Sequence, residues 1–255
     1  MGKVKIIVIA LAALIGTSGN AYAKVALLQP DDFVVFTFWL VSMACLATTV
    51  FLFLEHGSVT RAWKASIAVA GIVTGIAFIH SMYVRNIWVA TGDSPIIYRY
   101  IDWLITMPLL TIQFYLILSA VKKVSPTLFW KFLIAPLAMV LGGYAGEAGY
   151  ISSFLGFVIW MVGWIYILYE IFPGEAGRLC AKSTNDDLVT AFGKMRMIVT
   201  IGWTIYPFGY VFGYLTGGID SNTLNVIYNF ADFINKIAFG LVIWVAARNQ
   251  HNESR

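Results

Sequence analysis

Apolar residues in this chain do not alternate with polar ones; they run in long blocks broken by short polar turns. Seven such blocks span roughly 33–54, 64–88, 96–119, 127–146, 150–171, 188–215 and 223–247. Each is near or above the roughly 20 residues that cross a bilayer core as a helix. Segments such as "EHGSVTR", "TGDSP", "KKVSP" and "GGIDSN" separate them. Ten-residue units of period-2 alternation, the mark of a membrane barrel, do not occur. The pattern predicts an all-α membrane protein, a seven-transmembrane-helix bundle. No repeat, low-complexity tract or long linker divides it.

The first residues read differently. "MGKVKIIVIALAALIGTSGNAYAK" has basic Lys3 and Lys5, a short apolar core and a small-x-small site at Ala21-Tyr22-Ala23. That is the pattern of a secretory signal peptide, with cleavage expected after Ala23. The expected organisation is a signal peptide at 1–23 and one transmembrane domain at 24–255.

Composition agrees with the membrane reading: 60% of residues are hydrophobic and 12% charged, against about 25% charged in soluble domains. The position of the basic residues sets the direction. With the mature N-terminus outside, 11 of the 15 Lys and Arg after residue 23 fall on the cytoplasmic side, as the positive-inside rule requires. The expectation is N-terminus out, C-terminus in, in a bacterial inner membrane, with lipid as the surroundings and no nucleic-acid partner. Cys45 and Cys180 are isolated, which argues against a disulfide framework and a zinc site. No nucleophile–base pair, phosphate loop or metal cluster supports an enzyme.

A few ionisable groups stay at membrane depth: His80, Arg99, Asp102, Asp232 and Lys236, with Glu147 near an outer end. A charge in hydrocarbon costs at least a few kcal/mol, so such groups face the bundle interior and pair. Asp102, Thr106 and Gln113 stand at i, i+4 and i+11, within about 20° of one helix face. Asp232 and Lys236 stand at i, i+4. Lys236 is too deep to reach either surface. Two readings remain open on these residues alone. One is a buried ion pair that fixes packing; the other is a desolvated amine that condenses with a carbonyl cofactor, with Asp102 and Asp232 as counter-ions.

The order and placement of further motifs resemble the microbial (type 1) rhodopsins, and most closely the proteorhodopsins. They are "FWLV" at 38–41, "GIAFIHSMY" at 75–83, "TGDSP" at 91–95 and "RYIDWLITMPLL" at 99–110. "GEAG" at 146–149, "GWTIYP" at 202–207 and "IYNFADFINKIAFGL" at 227–241 complete the set. The resemblance implies all-trans retinal on Lys236 as a protonated Schiff base. It implies Asp102 as proton acceptor and counter-ion, Asp232 as second counter-ion, and Arg99 as the balancing cation. Trp103, Trp203, Tyr206 and Pro207 match the retinal pocket. His80 matches a histidine that hydrogen-bonds the acceptor and approaches a tryptophan, here Trp39, of a neighbouring subunit in a pentamer or hexamer. Leu110 falls where leucine accompanies green absorption. Phe157 falls where antenna-carrying relatives need glycine, so no carotenoid antenna is expected. Glu147 reads equally as part of an outer proton path or as a residue near a helix end.

Gln113 departs from the pattern. Proton-pumping proteorhodopsins carry a carboxylic acid there, about 16 Å along the helix from Asp102. An amide keeps the acid's shape but has no proton to give. The expected function is therefore an outward light-driven proton pump that turns over slowly. The alternatives are a photosensor with a slow cycle, for which a transducer would be a separate partner, and a pump disabled by substitution at 113. Sodium- and chloride-type relatives read Asn-Asp-Gln and Asn-Thr-Gln at positions 102, 106 and 113. Asp102 disfavours chloride by repulsion, and Thr106 lacks the carboxylate of the sodium type.

Overall fold

A computed structural model describes residues 32–92 and 96–253. The segment at 1–23, expected to be a signal peptide, lies outside the described residues. Seven membrane-spanning helices account for nearly all of them: α1 Phe33–Ser58, α2 Arg61–Thr91, α3 Arg99–Val121, α4 Pro126–Glu147, α5 Ser153–Ala181, α6 Asp186–Leu215 and α7 Ser221–His251. No strand occurs among the described residues. Each helix packs on its neighbour in sequence, and α7 closes the ring against α1.

Local chemistry sets the helix ends. Side chains of Asp32, Ser125, Ser152, Asn185 and Asp220 accept hydrogen bonds from the first exposed N–H groups of α1, α4, α5, α6 and α7, the usual solution for orphaned donors. Pro126 opens α4, where a missing N–H costs nothing. Gly92 ends α2 at φ 69°, its N–H donating to Trp88 O at 2.7 Å; a left-handed cap of this kind favours glycine.

The radial pattern is that of a bundle in lipid. Phe33, Leu54, Ile79, Ile134, Val162 and Ile201 are more than half exposed on the outer surface, while Arg99, Asp102, Gln113, Asn225, Asn229, Asp232, Asn235 and Lys236 are buried inside. Lipid gives no hydrophobic drive between helices, so close backbone approach through small residues does more of the work. Helices α4 and α5 meet in this way: a Cβ added to Gly156 would lie 2.7 Å from Gly146 Cα, which is backbone and cannot turn aside.

Helices α6 and α7 are not regular. Stretches Ile198–Gly202 and Val211–Leu215 of α6 and Phe233–Ala238 of α7 wind as π-helix. Such bulges re-aim side chains and occur often at functional sites. The α7 bulge carries both Asn235 and Lys236.

The Gly146–Gly156 contact yields a direct test. Gly156→Val forces α4 and α5 apart and costs roughly 1–3 kcal/mol by overpacking. Gly193→Ala, where an added Cβ meets nothing within 4 Å, is expected to be neutral or slightly stabilising. Thermal unfolding of both variants in detergent checks the contrast.

Candidate functional site

Four ionisable groups meet in the bundle centre. Asp102 and Arg99 come from α3, Asp232 and Lys236 from α7, and all are at most 4% exposed. Lys236 Nζ forms an ion pair and hydrogen bond with Asp102 Oδ2, and it stands 3.5 Å from Asp232 Oδ2. Arg99 Nη1 reaches the same Asp232 oxygen at 3.6 Å. Two cations and two anions alternate, so the cluster is neutral as a whole. That balance decides whether it can exist at this depth. Each ion forfeits several kcal/mol of hydration, while a pair at 3.5 Å recovers about 5 kcal/mol at an effective dielectric near 20. An amine and two carboxylates alone would leave a net charge in low dielectric, and Arg99 removes it.

Neutral donors hold the array in place. Tyr206 donates its phenol proton to Asp232 Oδ1 at 2.8 Å. The Thr106 hydroxyl donates to Asp102 O at 3.0 Å and lies 3.4 Å from Oδ2. Arg99 Nη2 donates to Asn225 O (3.1 Å), Asn225 Oδ1 (3.0 Å) and Asn229 Oδ1 (2.6 Å). Asn229 Nδ2 in turn donates to Thr37 Oγ1 of α1 at 3.0 Å.

Aromatic side chains wall the array on one side. Trp103 stands edge-on to Tyr206 (5.2 Å) and Tyr228 (5.5 Å). Trp103 and Trp203 are each 2% exposed, and both indole N–H groups lack a partner. Pro207 is buried beside them. A cavity of about 10 Å³ lies among Trp103, Trp160, Tyr206, Pro207 and Glu147, room for about one water molecule. Tyr100 donates to Glu147 Oε1 at 2.7 Å, while Glu147 Oε2 is unpartnered.

The remaining sequence candidates occupy varied places. His80 does not hydrogen-bond Asp102 in this structure. The imidazole Nε2 and Asp102 Oδ1 both stand without a partner, while Asp102 Oδ2 faces Lys236 and Thr106. The two groups remain within electrostatic reach. Trp39 is 37% exposed, and the Arg85 guanidinium lies 5.2 Å from its ring. Leu110 is buried, and the Phe157 ring packs 5.8 Å from Tyr210. Gln113 is fully buried: Nε2 donates to Ser66 O at 3.0 Å, while Gln113 Oε1 and Ser66 Oγ are unpartnered.

Sequence reasoning missed Asn225, Asn229, Asn235, Arg85 and Glu170. The three asparagines carried a legible signal: with Asp232 and Lys236 they place polar groups at 225, 229, 232, 235 and 236 of an apolar helix, close to one face. Arg85 and Glu170 sit nearer the ends of their blocks. Glu170 is 3% exposed and pairs with Lys131 at 2.9 Å.

Comparison with known proteins identifies the family. The bacteriorhodopsin-like protein family model matches residues 32–250. The chain belongs to that family, and to its proteorhodopsins. It is 46% identical to a green-light absorbing proteorhodopsin from an unknown prokaryotic organism, over 99% of this chain and all of the relative. It is 45% identical to the blue-light absorbing proteorhodopsin of Gamma-proteobacterium Hot 75m4, with the same coverage. The solved blue light-absorbing proteorhodopsin from Med12 superposes with a TM-score of 0.74 at 46% identity, covering 86% of this chain and 100% of that one.

Breaking the array is expected to be costly. Arg99→Leu removes one of the two cations beside Asp232, leaves the array with a net negative charge and the Asn225 and Asn229 acceptors unfilled, at about 3–5 kcal/mol. Chemical unfolding in detergent, compared with the more exposed Lys131→Leu, checks the difference.

Proposed function

We propose that this protein is a light-driven outward proton pump whose cycle is slowed by Gln113. The observation that carries the reading is the Asp102 carboxylate set directly against a wholly buried Lys236 amine. The residues fit all-trans retinal joined at Nζ: the amine is desolvated, two carboxylates together with Arg99 leave it in a neutral array, and the buried Trp103 and Trp203 indoles keep free N–H groups beside Tyr206 and Pro207. Retinal supplies visible-light absorption and a light-driven fall in proton affinity at Nζ.

The protein supplies the rest. Asp102 Oδ2 takes the proton released at Nζ. That transfer leaves two neutral groups, while the Arg99–Asp232 pair keeps its own balance, so the buried region stays neutral before and after. Thr106 steadies the acceptor. Arg99, fixed by Asn225 and Asn229, keeps Asp232 ionised. Gln113 fills the place of an internal donor with an amide that donates to Ser66 O and cannot release a proton near neutral pH. Nζ must then recover its proton from water entering at that end.

The same reading places the N-terminus outside a bacterial inner membrane and assigns green absorption from Leu110. It leaves no opening for a carotenoid at Phe157. It also includes a pentamer or hexamer, in which the exposed Trp39 ring meets His80 of a neighbouring copy. A photosensor is the second reading, favoured by the same Gln113, because a slow cycle prolongs the signalling state.

Two measurements test this. Illuminated cells expressing the protein with added retinal are expected to acidify their medium, and a protonophore is expected to abolish the change. Pigmented cells that show no light-induced change would remove the pump and leave the sensor. In flash spectroscopy, recovery of the proton at Nζ is expected to slow by up to about tenfold per pH unit between about pH 6 and about pH 9, as proton supply from water dictates. Gln113→Glu is expected to speed recovery and flatten its pH dependence. A fast, pH-independent recovery in the unsubstituted protein would mean that another group donates.

A further inference from the structure

The π segments of α6 and α7 face each other, and a single side chain ties them. Asn235 Nδ2 donates to Gly202 O at 3.1 Å and lies 3.3 Å from the Tyr206 phenol oxygen. Gly202 O is available for a particular reason. Its usual helical donor, Tyr206 N–H, goes to Trp203 O instead at 3.2 Å, and the next residue, Pro207, has no N–H to offer. The glycine itself is required by the same contact, because a Cβ at 202 would run into Asn235 Oδ1. Asn235 is 1% exposed, so neither of its interactions competes with bulk water.

We propose that Asn235 is a positioning residue for the second carboxylate, Asp232, acting through the phenol of Tyr206. The connection is continuous. Asn235 Nδ2 donates to the phenol oxygen, the phenol proton goes to Asp232 Oδ1 at 2.8 Å, and Asp232 Oδ2 faces Lys236 Nζ and Arg99 Nη1. A hydrogen bond received at the phenol oxygen polarises the O–H and strengthens the bond it gives. Asn235 thereby draws negative charge on Asp232 toward Oδ1, away from Nζ. It adjoins Lys236 in sequence, yet its effect on Nζ runs around the other side of Asp232. The proposal rests on retinal at Lys236 only for its optical readout.

The test uses full-length protein in four forms: unsubstituted, Asn235→Ala, Tyr206→Phe and the double substitution. Removing Asn235 is expected to weaken the phenol's donation and leave more charge at Asp232 Oδ2. Nζ is then held more tightly as a cation, and the pigment absorbs at shorter wavelength. In the Tyr206→Phe background the Asn235→Ala shift is expected to vanish, because its route is gone. A shift retained in full in that background would overturn the proposal and assign a direct effect to Asn235. Asn235→Leu separates donation from packing: it fills the space but donates nothing, so it is expected to behave like Asn235→Ala, and a return to unsubstituted absorption would reduce Asn235 to packing. Nuclear magnetic resonance of carbon-labelled tyrosine in retinal-free protein gives a second readout. The Tyr206 phenol signal is expected to move on Asn235→Ala, and an unmoved signal would overturn the relay. Absence of pigment in the unsubstituted protein, with that phenol signal still moving, would instead remove retinal from Lys236 and leave the relay intact.

Discussion

The ion pair between Lys236 and Asp102 constrains everything around it. An amine and a carboxylate at this depth are tolerable only as part of a neutral, hydrogen-bonded set. The second carboxylate needs a second cation, which is Arg99, and Arg99 Nη2 needs acceptors, which are Asn225 and Asn229. Asn229 then reaches Thr37 on α1. A requirement that begins on one lysine therefore spreads through α3, α7 and α1, the three helices whose relative positions it fixes.

The same array explains why α6 and α7 depart from regular winding. A π turn rotates the residues after it relative to an α-helix and frees backbone carbonyls. In α7 the bulge carries Lys236 toward Asp102 while Asp232 stays alongside at 3.5 Å. In α6 the bulge leaves Gly202 O to Asn235, and the proline that follows cannot reclaim it. Packing elsewhere is plainer. The α4–α5 seam relies on Gly146 against Gly156, and the outer surface is left apolar for lipid.

Much of this was legible in the sequence, because membrane burial makes polarity conspicuous. Seven apolar blocks located the helices to within a few residues of their ends, except that α5 continues ten residues past its block, to Ala181. Asp102, Asp232, Lys236 and Arg99 stood out as charges with nowhere to go but inward, and helical spacing was enough to bring Asp232 beside Lys236. What could not be read depends on side-chain torsions and on local winding. Nothing in "GWTIYP" or "FADFINK" announces a π turn, so the pairing of Asn235 with Gly202 was invisible. The expected bond from His80 to Asp102 is absent: His80 Nε2 and Asp102 Oδ1 are both unpartnered, and the torsions that would bring them together are not written in the sequence. Arg85 was passed over near the end of its block, although its stem is buried and its guanidinium lies against Trp39.

Gln113 acquires its weight from what surrounds it. Buried carboxylates among the described residues are Asp102, Asp232 and Glu170. The first two belong to the array. Glu170 is committed elsewhere: Lys131 pairs with it, Tyr166 donates to Oε1 at 3.3 Å, and the Glu175 N–H donates to Oε2 at 3.1 Å. It holds the break at 172–174 within α5 and is a poor substitute for a mobile proton donor. Around Gln113 the inner region offers an amide, the Ser66 hydroxyl and the bonded Thr49–Thr74 pair at 2.8 Å, which can order water but do not titrate near neutral pH. The proposed pump thus separates its two demands in space. Release of the proton depends on the charged array, which is complete. On that proposal, recovery depends on the Gln113 side, where the described residues just named supply hydrogen bonds and no acid, and the direction of transport and its rate are assigned to different residues.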